Sequence, residues 1–88
     1  MEKNMEAKKD VLIKNKTGLH ARPAAMFVQV ANKFESDILI QKDDQEVNGK
    51  SIMGILMLAA EKGSKITIMA RGKDSSEAVE ELSKILAE

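Results

Sequence analysis

Apolar residues along this chain switch repeatedly between the two-residue period of a strand and the 3.6-residue period of a helix, with short turn-rich breaks between the segments. No internal repeat, low-complexity tract or linker interrupts the series. A chain of 88 residues buries roughly 60–65% of its unfolded surface, which leaves too little core to divide. Residues 1–88 therefore read as a single domain, and any functional site must lie on the surface of one small fold.

The first strand is expected in "DVLIKN" (10–15), with Val11 and Ile13 on one face and Leu12 and Lys14 on the other, ending near Thr17-Gly18. From Pro23 the period lengthens. Ala24, Phe27, Val28, Ala31 and then Phe34 or Glu35 form one stripe of a helix, with Gln29, Asn32 and Lys33 opposite. "DILIQK" (37–42) and the weaker "QEVN" (45–48) make a hairpin around the polar turn Asp43-Asp44. Ser51 opens a second helix over "SIMGILMLAAEKG", which Gly63 is expected to stop. "SKITIMAR" (64–71) is a strand with Ile66 and Ile68 on one face. Asp74 with Glu77, or either following serine, can cap a last helix striped by Ala78, Val79, Leu82, Ile85 and Leu86, in which Glu80 faces Lys84. The order β-α-β-β-α-β-α implies an α+β fold of four strands, mostly antiparallel, with helices covering one face.

Composition narrows the function classes. The hydrophobic fraction is 43%, the charged fraction 32%, and 14 basic residues balance 14 acidic ones, so disorder and non-specific nucleic-acid binding both lose ground. The chain has no Cys, which removes disulfide and thiolate chemistry, and a single His without Cys argues against a zinc site. Neither a metal nor a cofactor is expected. The leading "MEKNMEAKK" lacks the apolar stretch of a signal peptide, and no later run reaches the ~20 apolar residues of a membrane span. A cytoplasmic protein without membrane insertion is the expectation.

The segment "TGLHARPAA" (17–25) gathers the only histidine, an arginine two places on and the only proline at the start of the first helix. A neutral imidazole is a nucleophile, and histidine's ordinary pKa of about 6.5 keeps much of it neutral near pH 7. At a helix entrance, His20 stands beside backbone N–H groups that have no intrahelical partner and that favour an anion. Arg22 adds a planar fork of donors suited to phosphoryl oxygens, and Pro23 fits a first helical turn, where its missing N–H costs nothing. By residue type alone, a lone His ahead of a helix is more often a solvated or capping residue, and the Arg a surface charge.

"SIMGILMLAA" (51–60) is apolar or Gly at nine of ten positions, more than one stripe of a short helix can bury. With Ile55, Leu58 and Ala59 turned to the core, Ile52, Met53 and Leu56 are left outside as an apolar patch, where flexible Met suits irregular partner surfaces. Deeper burial of this helix would also account for the composition. Ser51 is readily explained as the N-cap, and a phosphoryl group on it would sit at the favourable end of the helix dipole.

"TGLHARPAA" and "NGKSIMGILMLAAEKG" (48–63), at this separation and in this order of elements, resemble the HPr family of histidine-containing phosphocarriers of the bacterial phosphoenolpyruvate-dependent sugar phosphotransferase system. The resemblance extends from about Met5 to Glu88. It implies an open-faced β-sandwich of four antiparallel strands with three helices on one side. It implies that His20 is phosphorylated through Nδ1 by phospho-enzyme I and passes the group to enzyme IIA domains, with Arg22 and backbone amides stabilising the phosphohistidine. Ser51 matches the regulatory serine modified by an ATP-dependent HPr kinase/phosphorylase. Ile52, Met53 and Leu56 match the surface that docks these partners and, in some species, a catabolite-control transcription factor. Met26 is expected to join that surface. The residue His20 separates the chain from a regulatory paralogue that carries another residue there. "MEKN" precedes the family's usual start and is expected to be a disordered extension, or Met5 an alternative start.

Rival readings remain. A regulatory, nitrogen-related phosphotransferase branch would use the same chemistry. A small RNA-binding module of this element order would need aromatic side chains on its sheet, and the chain has only Phe27 and Phe34, both on the expected core stripe. Metabolite binding gives no reason for His20 and Arg22, and a hydrolase using His20 lacks an evident Ser or Asp partner.

Overall fold

Strands β1 (Glu6–Leu12), β2 (Asp37–Lys42), β3 (Gln45–Asn48) and β4 (Lys65–Arg71) form one sheet in the order β1-β4-β2-β3, and every neighbouring pair is antiparallel. The computed structural model describes residues 5–87, so "MEKN" lies outside the described residues. Helices α1 (Ala21–Ala31), α2 (Ile52–Met57) and α3 (Ser75–Ala87) complete the β-α-β-β-α-β-α order. Helix α3 packs on β1 and β4, and α1 packs against α3 and α2. The result is the expected open-faced sandwich.

Alternation decides which face of the sheet is covered. Val11 pairs with Ile66, and Ile40 pairs with Ile68, so Val11, Ile38, Ile40, Ile66, Ile68 and Ala70 all point beneath the helices and are buried. The helices answer with Ala24, Phe27, Val28 and Ala31 from α1, and Ala78, Val79, Leu82 and Leu86 from α3. Phe27 and Leu82 are fully buried, and truncating side chains of this kind to Ala costs about 2–5 kcal/mol. The other sheet face carries Lys8, Asp10, Gln41 and Thr67 and holds no aromatic ring, as an RNA-stacking surface would require.

The hairpin falls where expected, with Asp43 in a left-handed conformation (φ 55°) that Asp tolerates in turns. Strand β1 differs from expectation. It spans Glu6–Leu12 instead of 10–15, because β4 supplies ladder partners as far as Arg71 opposite Glu6. The charges that hid it are satisfied across the pairing: Arg71 Nε donates to Glu6 Oε2 (2.9 Å), and Thr67 Oγ1 to Asp10 Oδ1 (2.7 Å). Lys9, on the covered face, reaches Glu80 of α3 at 3.6 Å.

Helix α2 also departs from expectation. It stops at Met57, well before Gly63, and Ala59 takes the left-handed conformation (φ 49°) beyond the C-cap Leu58. The residues that would continue it are committed elsewhere: the Ala60 carbonyl accepts the Leu19 N–H (2.9 Å), and the Gly63 N–H donates to Ile13 O (2.7 Å). Ala59 is therefore exposed, and Ala60 takes the core position expected of it.

A carboxylate ties the far end of α1 to the start of α3. Asp74 accepts the Ser36 hydroxyl, the Glu35 N–H (2.9 Å) and the Ser36 N–H (3.0 Å). Its side chain thus serves the loop after α1 instead of capping α3 with the Asp74-Glu77 box. The Ser36 hydroxyl, followed by the Glu35 N–H, holds the Asp74 carboxyl below its ordinary pKa.

Candidate functional site

The loop that presents His20 is fastened to the rest of the fold by backbone. Ile13 N–H donates to Ser64 O (2.9 Å), Gly18 N–H to Asn15 O (2.9 Å), and buried Leu19 reaches Ala60 O. Gly18 sits at φ 72°, and a Cβ there would lie 2.5 Å from the Ala60 carbonyl oxygen, so the close approach of the loop to the end of α2 admits only glycine.

His20 is the N-cap residue of α1, with an extended backbone (φ −109°, ψ −167°), and its carbonyl accepts the Ala24 N–H (3.0 Å). Its side chain makes no capping bond, which sets aside the capping explanation and leaves the imidazole facing solvent. Helix α1 begins two residues ahead of the expected Pro23, with Ala21 the first helical residue after the extended His20. Since Pro23 has no N–H, the Ala21 and Arg22 amides are the free donors at this mouth. The first turn of α1 contains no acidic residue to repel an anion. Arg22 is exposed and, among the described residues, pairs with no carboxylate, so its guanidinium is open to an incoming anion. Past the opposite end of α1, Lys50 Nζ donates to Phe34 O (2.8 Å).

The NGKS segment builds the second feature. Asn48 Oδ1 accepts the Lys50 N–H (2.9 Å), and Gly49 packs so close to Ile38 that a Cβ would meet its Cγ2 at 2.5 Å. Ser51 then caps α2, its Oγ accepting the Gly54 N–H (3.0 Å). Ile55 and Leu58 turn inward, leaving Ile52 at 40% and Met53 at 67% exposure. Leu56, expected outside with them, is half-buried against the core. Its place is taken by Met57, 65% exposed, which the i, i+4 spacing from Met53 would have revealed. Met26 is 47% exposed on α1, one turn beyond Arg22.

A cavity of about 660 Å³ lies on the uncovered sheet face among Leu39, Met69, Lys8 and Arg71 and includes neither His20 nor Arg22. His20 is thus presented on an open surface and not within that cavity.

Residues 7–88 match the family model described as "PTS HPr component phosphorylation site". Among characterised proteins, the chain is 50% identical over 78 residues to the HPr-like protein Crh of Bacillus subtilis, covering 89% of this chain and 92% of that one. It is 46% identical over 79 residues to the phosphocarrier protein HPr of Neisseria meningitidis, covering 90% and 89% of the two chains. The crystal structure of HPr from Bacillus anthracis superposes with a TM-score of 0.87 at 52% identity, over 92% of this chain and 96% of that one. Fold and matches together define a phosphocarrier, a protein that is a substrate of phosphotransferases and not itself an enzyme. The chain belongs to the HPr family of the phosphotransferase system.

Proposed function

We propose that His20 Nδ1 accepts a phosphoryl group from phospho-enzyme I and hands it to enzyme IIA domains in phosphoenolpyruvate-dependent sugar uptake, within the cytoplasm. The observation that carries the reading is the solvent-facing imidazole at the donor-rich mouth of α1, near Arg22, which pairs with no carboxylate among the described residues. In each transfer the Nδ1 lone pair forms the P–N bond as the donor's bond to phosphorus breaks, and the reverse displacement releases the group to the acceptor. Such transfers depend chiefly on alignment and charge stabilisation, which Arg22 and the Ala21 and Arg22 amides contribute while the partner enzyme supplies the rest.

Met26, Ile52, Met53 and the exposed part of Leu56, with Met57, form the face that visits partners in turn, and the described chain serves as one carrier domain. Ser51 is the site of a regulatory phosphorylation by an HPr kinase/phosphorylase, read in some settings by a catabolite-control transcription factor. The Gly54 N–H, already bonded to Ser51 Oγ, is placed to meet the added group, which brings about −1.5 to −2 charges to the positive end of α2. His20 supplies the nucleophile that distinguishes a carrier from a purely regulatory relative.

Incubation with radiolabelled phosphoenolpyruvate and enzyme I tests the reading. Acid-labile, alkali-stable label on the wild type that is absent from His20→Ala is expected. Absence of label with a competent enzyme I from a matched organism would refute the sugar-pathway role and turn attention to the nitrogen-related branch.

A further inference from the structure

The chain contains six methionines and no cysteine, so its sulfur chemistry is thioether chemistry. Met53 and Met57, at 67% and 65%, are the most exposed large apolar side chains among the described residues, and their i, i+4 spacing places them on one face of α2. Met69, on the sheet, is half-buried by comparison. Leucine would offer similar apolar area without a reactive atom. Thioether oxidation follows access to the sulfur, and the sulfoxide is polar, chiral and reducible by methionine sulfoxide reductases.

We infer that Met53 and Met57 are a reversible oxidation site through which peroxide lowers the docking of partner proteins. Hydrogen peroxide transfers one oxygen atom to the sulfur: the O–O bond breaks, an S–O bond forms, the sulfur loses two electrons and the peroxide is reduced to water. Neither sulfur contributes to the fully buried core, so the fold survives the change. The docking face does not, because a sulfoxide buried against a partner without a hydrogen bond carries a desolvation cost, expected to slow phosphoryl transfer about tenfold. The inference rests on the docking role proposed for α2.

The full chain is treated briefly with hydrogen peroxide, the peroxide is removed with catalase before enzyme I is added, and sulfoxides are mapped by peptide mass spectrometry. Met53 and Met57 are expected to oxidise well ahead of Met69, with the circular dichroism spectrum retained. Transfer from enzyme I should fall about tenfold and recover with reductases A and B. A Met53→Leu/Met57→Leu variant, compared with its own untreated sample, should lose far less of its rate. Equal oxidation of Met69, an unchanged rate in the oxidised wild type, or an equal loss in the double variant would overturn the inference. Unoxidised Met53→Glu separates the two layers: if it transfers slowly while the sulfoxide form does not, only the oxidation site fails. If Met53→Glu also transfers at the wild-type rate, the docking reading itself has failed.

Discussion

Replacing Ala59 by Gly should stabilise the protein, and the structure allows the size to be worked out. Ala59 lies at φ 49°, immediately after the α2 C-cap Leu58 (φ −68°), in the position where helices commonly place a left-handed glycine. Holding an L-residue there costs about 1–2 kcal/mol because Cβ crowds the following carbonyl oxygen, a cost glycine avoids. Its methyl group is exposed, so little packing is lost on removal. Against this stands the greater freedom of glycine in the unfolded chain, worth about 0.4–1 kcal/mol. The net gain lies between about 0 and about 1.6 kcal/mol, with a central value of about 0.8, and at about 4–8 °C per kcal/mol for a domain of this size the thermal midpoint should rise by about 3–6 °C. Thermal and urea unfolding of Ala59→Gly measure it, with Ala60→Gly as the contrast: Ala60 is 4% exposed, and its variant should unfold earlier. A lower midpoint for Ala59→Gly would refute the argument, since it would mean that position 59 pays no left-handed penalty.

Gly18→Ala should cost about 2 kcal/mol or more, because it adds a positive-φ penalty to a clash with the Ala60 carbonyl, and transfer to His20 should slow as the loop shifts; urea titration and labelled-phosphate assay read the two effects. Asp74 contributes stability above its unfolded pKa of about 3.9, and because its folded pKa is lowered that contribution disappears as pH falls through the folded value. Stability of Asp74→Asn should accordingly vary less with pH between about 5 and 2 than that of the wild type, and parallel urea midpoints across that range check it. Met53→Glu should slow transfer from enzyme I with an unchanged unfolding midpoint; an unchanged rate would remove α2 from the docking surface.

Much of the fold was legible because its signals are local. The hairpin bounds 37–42 and 45–48 followed from alternation around Asp43-Asp44, and the stripe Ala24, Phe27, Val28, Ala31 is the buried face of α1. His20 at a helix mouth was equally readable, since Gly18 and Pro23 mark the turn on either side of it. What went astray involved partners distant in sequence. Glu6 to Lys9 carry no strand period of their own and become strand because β4 lies alongside. Asp74 resembles an N-cap, yet its carboxylate is claimed by Ser36, 38 residues away.

The second helix divides the two kinds of information most clearly. Its start was written locally, in the side chain of Ser51, and its apolar excess announced that some residues must face outward. Which ones do so depended on where the helix ends, and that was decided by the Leu19 amide and the Ile13 carbonyl, whose bonds to Ala60 and Gly63 outweigh a helical pattern running on toward Gly63. Periodicity and caps act within a few residues and can be read in order along the chain. Termination, edge pairing and exposure are settled by competition for backbone hydrogen bonds and core volume between segments that meet only once the chain has folded.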